Sequence, residues 1–200
     1  MARQICEGGC VRPGFAMIFL WIGFGVSWLL AALWSDKTVE RAAVREEIGY
    51  RAVQILGWIL LAVPAHGYDG PLRLWQISWT EAWACVGLIV LGFAFSWWAR
   101  IYLGRLWSST VTRKADHRVV DSGPYAIVRH PIYTGILLAT YATTAAKGTV
   151  LGLAAAVLVT LGFWLKARLE ERWLCEQLGQ GEYQAYRRKV PMLLPLGPKA

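Results

Sequence analysis

The sequence predicts an all-α integral membrane protein with about five transmembrane helices, the last two forming a short hairpin. Three observations carry this. The chain is 56% hydrophobic with twelve tryptophans. Its apolar residues fall in long uncharged stretches, and its basic residues fall mostly between alternate stretches. A soluble 200-residue domain needs none of these features.

Residues 13–34 run for 22 positions without a charge, and residues 82–99 for 18, each long enough to cross a hydrocarbon core. Residues 52–67 form a shorter candidate that carries Gln54, Pro64 and His66. Residues 132–146 and 150–165 follow, separated by Lys147, Gly148 and Thr149. At 1.5 Å per residue each of these two reaches only ~24 Å, against a core of ~30 Å. They are read as a tight hairpin that stops short of a full crossing or extends at its ends. The run at 13–34 is too long for the apolar part of a signal peptide and is expected to be retained. Residues 36–51 mix acids and bases and read as a solvated helical face. Trp75 and Trp79 read as anchors of an outer loop, and Trp97, Trp98 and Trp107 as marks of the opposite interface.

With five spans, seventeen Lys and Arg fall on one side of the membrane and four on the other. The positive-inside rule then places the N-terminus outside and the C-terminus in the cytoplasm, in a cell inner membrane. The net charge of +8 therefore reports topology and contact with anionic lipid headgroups, and no nucleic-acid motif accompanies it. Cys85 reads as a small apolar residue, while Cys6 and Cys10 can pair only in an oxidising compartment. His66, His117 and His130 form no ligand spacing with the cysteines, so no metal is expected.

The whole chain reads as one membrane domain, with residues 1–99 a three-span scaffold and 100–200 the half that carries chemistry. A helix is expected to continue from the fifth span to about residue 178, break at 179–181, and resume over 182–189 before Pro191 and Pro195. The polar segments at 100–131 and 166–200 flank the hairpin on the same side.

The stretch GPYAIVRHPIYTG, residues 123–135, sets Arg129 and His130 directly before Pro131. Proline suits the first helical position, so both cations sit at a helix N-terminus, where free N–H groups and the dipole favour negative charge. Two readings stand: an anion site at the membrane interface, or a basic anchor on lipid phosphates. After the hairpin, Glu170 and Glu171 either meet a ligand or pair along their own helix, Lys166 with Glu170 and Arg168 with Glu171. The tyrosines either meet a ligand or anchor the interface.

GPYAIVRHPIYTG, the hairpin, and EERWLCEQLGQGEYQAYRRKVPMLLP in that order resemble the isoprenylcysteine carboxyl methyltransferase family. The nearest match in kind is its small prokaryotic members, related to phospholipid methyltransferases. The resemblance covers residues 99–195. It implies S-adenosylmethionine as cofactor, bound on the cytosolic side by Tyr125, Arg129, His130, Pro131, Tyr133, Gly135, Glu170 and Glu171. Of these, Arg129, His130, Glu170 and Glu171 are the implied catalytic residues. Tyr183, Tyr186, Arg187 and Arg188 resemble the C-terminal helical segment that closes the site and binds the methyl acceptor. Leu106 and Lys189 depart from the family pattern, which often has Asn and Arg there.

The chemistry suits that cofactor. Arg129 and a helix N-terminus match its carboxylate. A glutamate matches its ribose or ammonium, and tyrosine faces match its adenine and sulfonium. The implied reaction is methyl transfer to a lipophilic or small acceptor, a carboxylate, phenol, thiol or amine, with an isoprenylcysteine-like carboxyl group among the candidates. On this reading Arg129→Ala abolishes cofactor binding. Two rivals remain at this stage: an NADPH-dependent sterol-type membrane reductase, and a non-catalytic membrane subunit. The sequence leaves the acceptor and the oligomeric state open.

Overall fold

A computed structural model describes residues 12–33, 40–41, 44–64, 72–104, 107, 112–113, 120–178 and 180–197. Cys6, Cys10, His66, Leu106 and His117 lie outside the described residues, as do several of the cations used to orient the chain.

Among the described residues there are six α-helices: α1 (Pro13–Ala32), α2 (Val44–Ala62), α3 (Trp79–Leu103), α4 (Pro131–Lys147), α5 (Val150–Leu178) and α6 (Gln180–Lys189). Two residue pairs, β1 (Glu40–Arg41) and β2 (Thr112–Arg113), form a short antiparallel ladder. Among the described residues, three helices are long and apolar enough to cross a membrane: Pro13–Ala32, Trp79–Leu103 and Val150–Glu176. The result is an all-α membrane protein.

Helix ends follow the sequence. Pro13 opens α1, and α3 starts with a capping box in which the Glu81 amide donates to Ser78 Oγ and the Ser78 amide to Glu81 Oε2. Pro131 opens α4, and Gly148, in the left-handed conformation at φ 60°, ends it. Helix α2 begins well before the expected span. Its first turns, read from sequence as a solvated face, bury Glu47 and Tyr50, and Glu47 pairs with Arg51.

One end of the bundle is fastened by polar bonds. Lys147 Nζ donates to Leu61 O and to Val63 O, at 2.7 Å for the latter, covering the carbonyls that end α2. The amides of Leu74 and Val150 donate to Gly148 O and Leu72 O, and Trp75 Nε1 donates to Ala145 O. At the other end Arg100, fully buried in α3, donates to Gly104 O and to Ala31 O of α1 and lies 4.4 Å over the Trp107 ring. Trp107 is thus a buried core residue and not the interface marker expected of it.

Helices α3 and α4 cross in backbone contact. A Cβ on Gly135 would lie 2.3 Å from both Gly92 O and Ser96 Oγ, and one on Gly92 would lie 2.4 Å from Gly135 O. Ser96 Oγ donates to Ile132 O across the crossing at 3.0 Å. This contact sets the start of α4 against the buried end of α3.

Candidate active site

The RHP segment and the acidic pair meet at the start of α4. Arg129 Nε donates to Glu171 Oε1 at 2.7 Å, and Nη2 to Glu171 Oε2 at 3.3 Å. The two charges are almost wholly buried, so the two-pronged geometry has to offset their desolvation. His130 Nε2 lies 3.1 Å from Glu171 Oε1, and its Nδ1 lies 3.5 Å from Glu170 Oε2. Burial disfavours the charged ring, but the bonds to Glu170 and Glu171 outweigh it and raise His130 above its ordinary pKa. Tyr133 donates to Glu170 Oε1 at 2.6 Å, and Lys166 Nζ stands 3.9 Å from the same oxygen. The rings of His130, Tyr133 and Phe163 stack in series, at 5.4 and 4.7 Å between centroids.

The C-terminal segment lies across this cluster as a strap. The amides of Arg129 and His130 donate to Pro191 O and Met192 O, and Thr134 Oγ1 donates to Leu193 O at 2.6 Å. Arg129 Nη1 also donates to Arg187 O and Val190 O, the carbonyls at the end of α6. Four of the five guanidinium N–H groups are therefore engaged within the protein.

A cavity of about 1440 Å³ opens beside the cluster. Its lining includes Arg129, Glu171 and Arg187 from the site, Met192 and Leu193 from the strap, and Tyr50 from α2. A run of α5 residues at one-turn intervals, Thr160, Trp164, Arg168 and Arg172, forms another wall. Arg129, His130, Tyr133, Glu170 and Glu171 come together as the sequence predicts. Glu171 binds Arg129, His130 and Arg187, and Arg168 instead lies over the Trp164 ring at 4.8 Å. The Lys166–Glu170 pair coexists with the site.

Other predicted residues sit apart from the cavity. Pro131 is buried as the first helical residue, and Gly135 faces α3. Tyr125 is buried beneath Ala99, and its carbonyl accepts the Tyr186 hydroxyl at 2.6 Å. Tyr183 and Tyr186 pack with Val190, and burial raises both phenols well above their ordinary pKa. Arg187 lines the cavity; Arg188 is exposed and is not among its lining residues. Sequence reasoning missed Tyr50, Trp164, Arg168 and the strap residues. The four-residue spacing on α5 was the one available signal for the second and third of these.

A helical membrane protein with an aromatic, charge-paired pocket at one end of its bundle is the class this geometry defines. The chain belongs to the phospholipid methyltransferase family, whose model (PEMT) matches residues 80–181. It is similar to methanethiol S-methyltransferase 2 of Bradyrhizobium diazoefficiens, at 37% identity over 138 residues, 62% of this chain and 51% of that protein. It is also similar to protein-S-isoprenylcysteine O-methyltransferase of Schizosaccharomyces pombe, at 32% over 118 residues, 58% of this chain and 50% of that protein. Protein-S-isoprenylcysteine O-methyltransferase B of Arabidopsis thaliana matches at 31% over 111 residues, 54% of this chain and 56% of that protein. The chain thus spans about half the length of the curated relatives it matches. The likeness to isoprenylcysteine carboxyl methyltransferases read from its motifs is borne out.

Proposed function

We propose that this protein transfers a methyl group from S-adenosylmethionine to a lipophilic or small acceptor at the cytosolic face of a membrane. The observation that carries the reading is the bonded cluster of Arg129, His130, Tyr133, Glu170 and Glu171, of which Arg129 and Glu171 line a large cavity. Membership of a methyltransferase family supports it. Helix ends support five crossings with the N-terminus outside. The ends of α1 and α3 are tied by Arg100, and the end of α2 is tied to the α4–α5 turn by Lys147. That pairing matches alternating helix directions and the bias of Lys and Arg.

The residues fit the cofactor's chemistry. Glu170 keeps its side chain 20% exposed beside an aromatic stack, a setting that suits hydroxyl or ammonium donors and a flat base. When bound, S-adenosylmethionine supplies a methyl group already activated on a sulfonium. The protein is left with alignment and exclusion of water, tasks for the packed stack and the strap. A carboxylate acceptor needs no base. A thiol, phenol or amine has a proton to lose, and His130 or one of the glutamates, Glu170 or Glu171, is the candidate to take it. Despite burial, the bonds to Glu170 and Glu171 raise His130 above its ordinary pKa, which favours its charged form.

The test is incubation of the purified protein with methyl-labelled S-adenosylmethionine and a host lipid extract. Label is expected in one or a few small or lipophilic products. Oxidation of NADPH without label transfer would overturn the reading in favour of a reductase.

A further inference from the structure

Four of the five N–H groups of the Arg129 guanidinium are taken up by two elements, α5 and the end of α6. One edge grips Glu171 of α5. The other gives Nη1 to Arg187 O and Val190 O, which end α6. Carbonyls at a helix C-terminus carry partial negative charge and lack intrahelical donors, so a cation placed there both pairs and caps them. A two-pronged grip on a ligand carboxylate would have to displace Glu171, already buried to 4% side-chain exposure, or strand the two carbonyls, since only one Nη2 N–H lies outside these bonds. The backbone repeats the fastening, since the amides of Arg129 and His130 bond to Pro191 O and Met192 O. Thr134 Oγ1 adds Leu193 O. Three successive strap carbonyls are thereby held in fixed register on the start of α4. Met192, Leu193, Leu194 and Pro195, apolar residues of the strap, line the cavity.

We propose that Arg129 is a positioning residue that caps α6 and fastens the strap, and that the strap it holds forms the acceptor side of the cavity. The inference rests on the methyl-transfer reading for the word acceptor; the fastening itself does not. Arginine is required because one planar fork serves a carboxylate and two carbonyls at once. A lysine, a single point of charge, cannot span them.

The experiment compares wild type with Arg129→Gln and Arg129→Lys in detergent micelles, using hydrogen–deuterium exchange and S-adenosylhomocysteine titration. Both variants are expected to speed amide exchange at Arg129, His130 and Val190 at least tenfold. Amides in the middle of α3 should keep their protection, which separates local release from global unfolding. In methyl transfer to a lipid extract, the Lys variant is expected to raise the KM for the extract several-fold and leave the KM for S-adenosylmethionine within about twofold. Unchanged protection at these three amides in either variant overturns the fastening. A loss confined to the KM for S-adenosylmethionine overturns the acceptor-side role and makes Arg129 a cofactor ligand. A wild-type protein that binds no S-adenosylhomocysteine sinks the methyl-transfer reading instead, and the exchange data still decide the fastening.

Discussion

Gly135 closes the RHPIYTG motif, and two roles compete for it: close approach to a cofactor, or close approach to a helix. The structure gives the second. A methyl group added there would stand 2.3 Å from Gly92 O and Ser96 Oγ and 2.9 Å from Ser96 N. Ordinary contact begins at 3.4 Å, so α3 and α4 have to part by about 1 Å, and backbone oxygens cannot rotate aside. Overpacking of this kind costs about 1–3 kcal/mol and occasionally more. The bond from Ser96 Oγ to Ile132 O, worth about 1 kcal/mol, is strained as well. Relief from glycine's helical penalty returns about 1 kcal/mol. Gly135→Ala should therefore destabilise by about 1–3 kcal/mol, lowering the unfolding midpoint by about 2–12 °C for a chain of this size. Tryptophan fluorescence during thermal unfolding in micelles reads the effect. Gly87→Ala on α3 is the control, because a Cβ there meets nothing within 4 Å. At a temperature where both proteins remain folded, S-adenosylhomocysteine affinity should be close to wild type. A Gly135→Ala protein of unchanged stability and lost affinity would refute the packing argument.

Three further outcomes are expected. The pKa of His130 is raised in the folded state above its ordinary 6.5, so its pairing stabilises fully below about pH 6.5 and fades as pH rises through the folded value. The stability gap between wild type and His130→Gln should accordingly narrow as pH increases, and a gap that widens would contradict it. Glu170→Gln keeps an oxygen for the Tyr133 hydroxyl but loses the charge, and should cut methyl transfer at least tenfold with the unfolding midpoint little changed. Lys147→Met uncovers the carbonyls of Leu61 and Val63 and should cost about 1–3 kcal/mol in thermal unfolding, leaving S-adenosylhomocysteine affinity intact.

The helices were legible wherever burial in lipid suppresses charge, because hydropathy reports that directly. The start of α2 was not. Glu46, Glu47 and Arg51 read as solvated, yet Glu47 is buried by pairing one turn along with Arg51. Periodicity carries no sign of which charges pair. At the site, the motif spacing correctly joined Arg129 and His130 to Glu170 and Glu171 across the hairpin. It could not say where each side chain spends its bonds. Arg129 reads from sequence as a grip on an anion from outside, whereas its acceptors come from α5 and α6. The strap was equally hidden, because its register rests on backbone carbonyls that any residue supplies. Tyr183 illustrates the remaining gap. A tyrosine in the first turn of a polar helix has no sequence mark that separates a ligand contact from a small local core.

Lys147 and its neighbours bolt three chain segments together at the end of the bundle farthest from the acidic pair. With that rim clamped, any opening for a ligand is expected at the opposite end, where the cavity lies. Loading and unloading then need no rearrangement of the far rim, and a crosslink across that rim should leave turnover intact while one across the near rim arrests it.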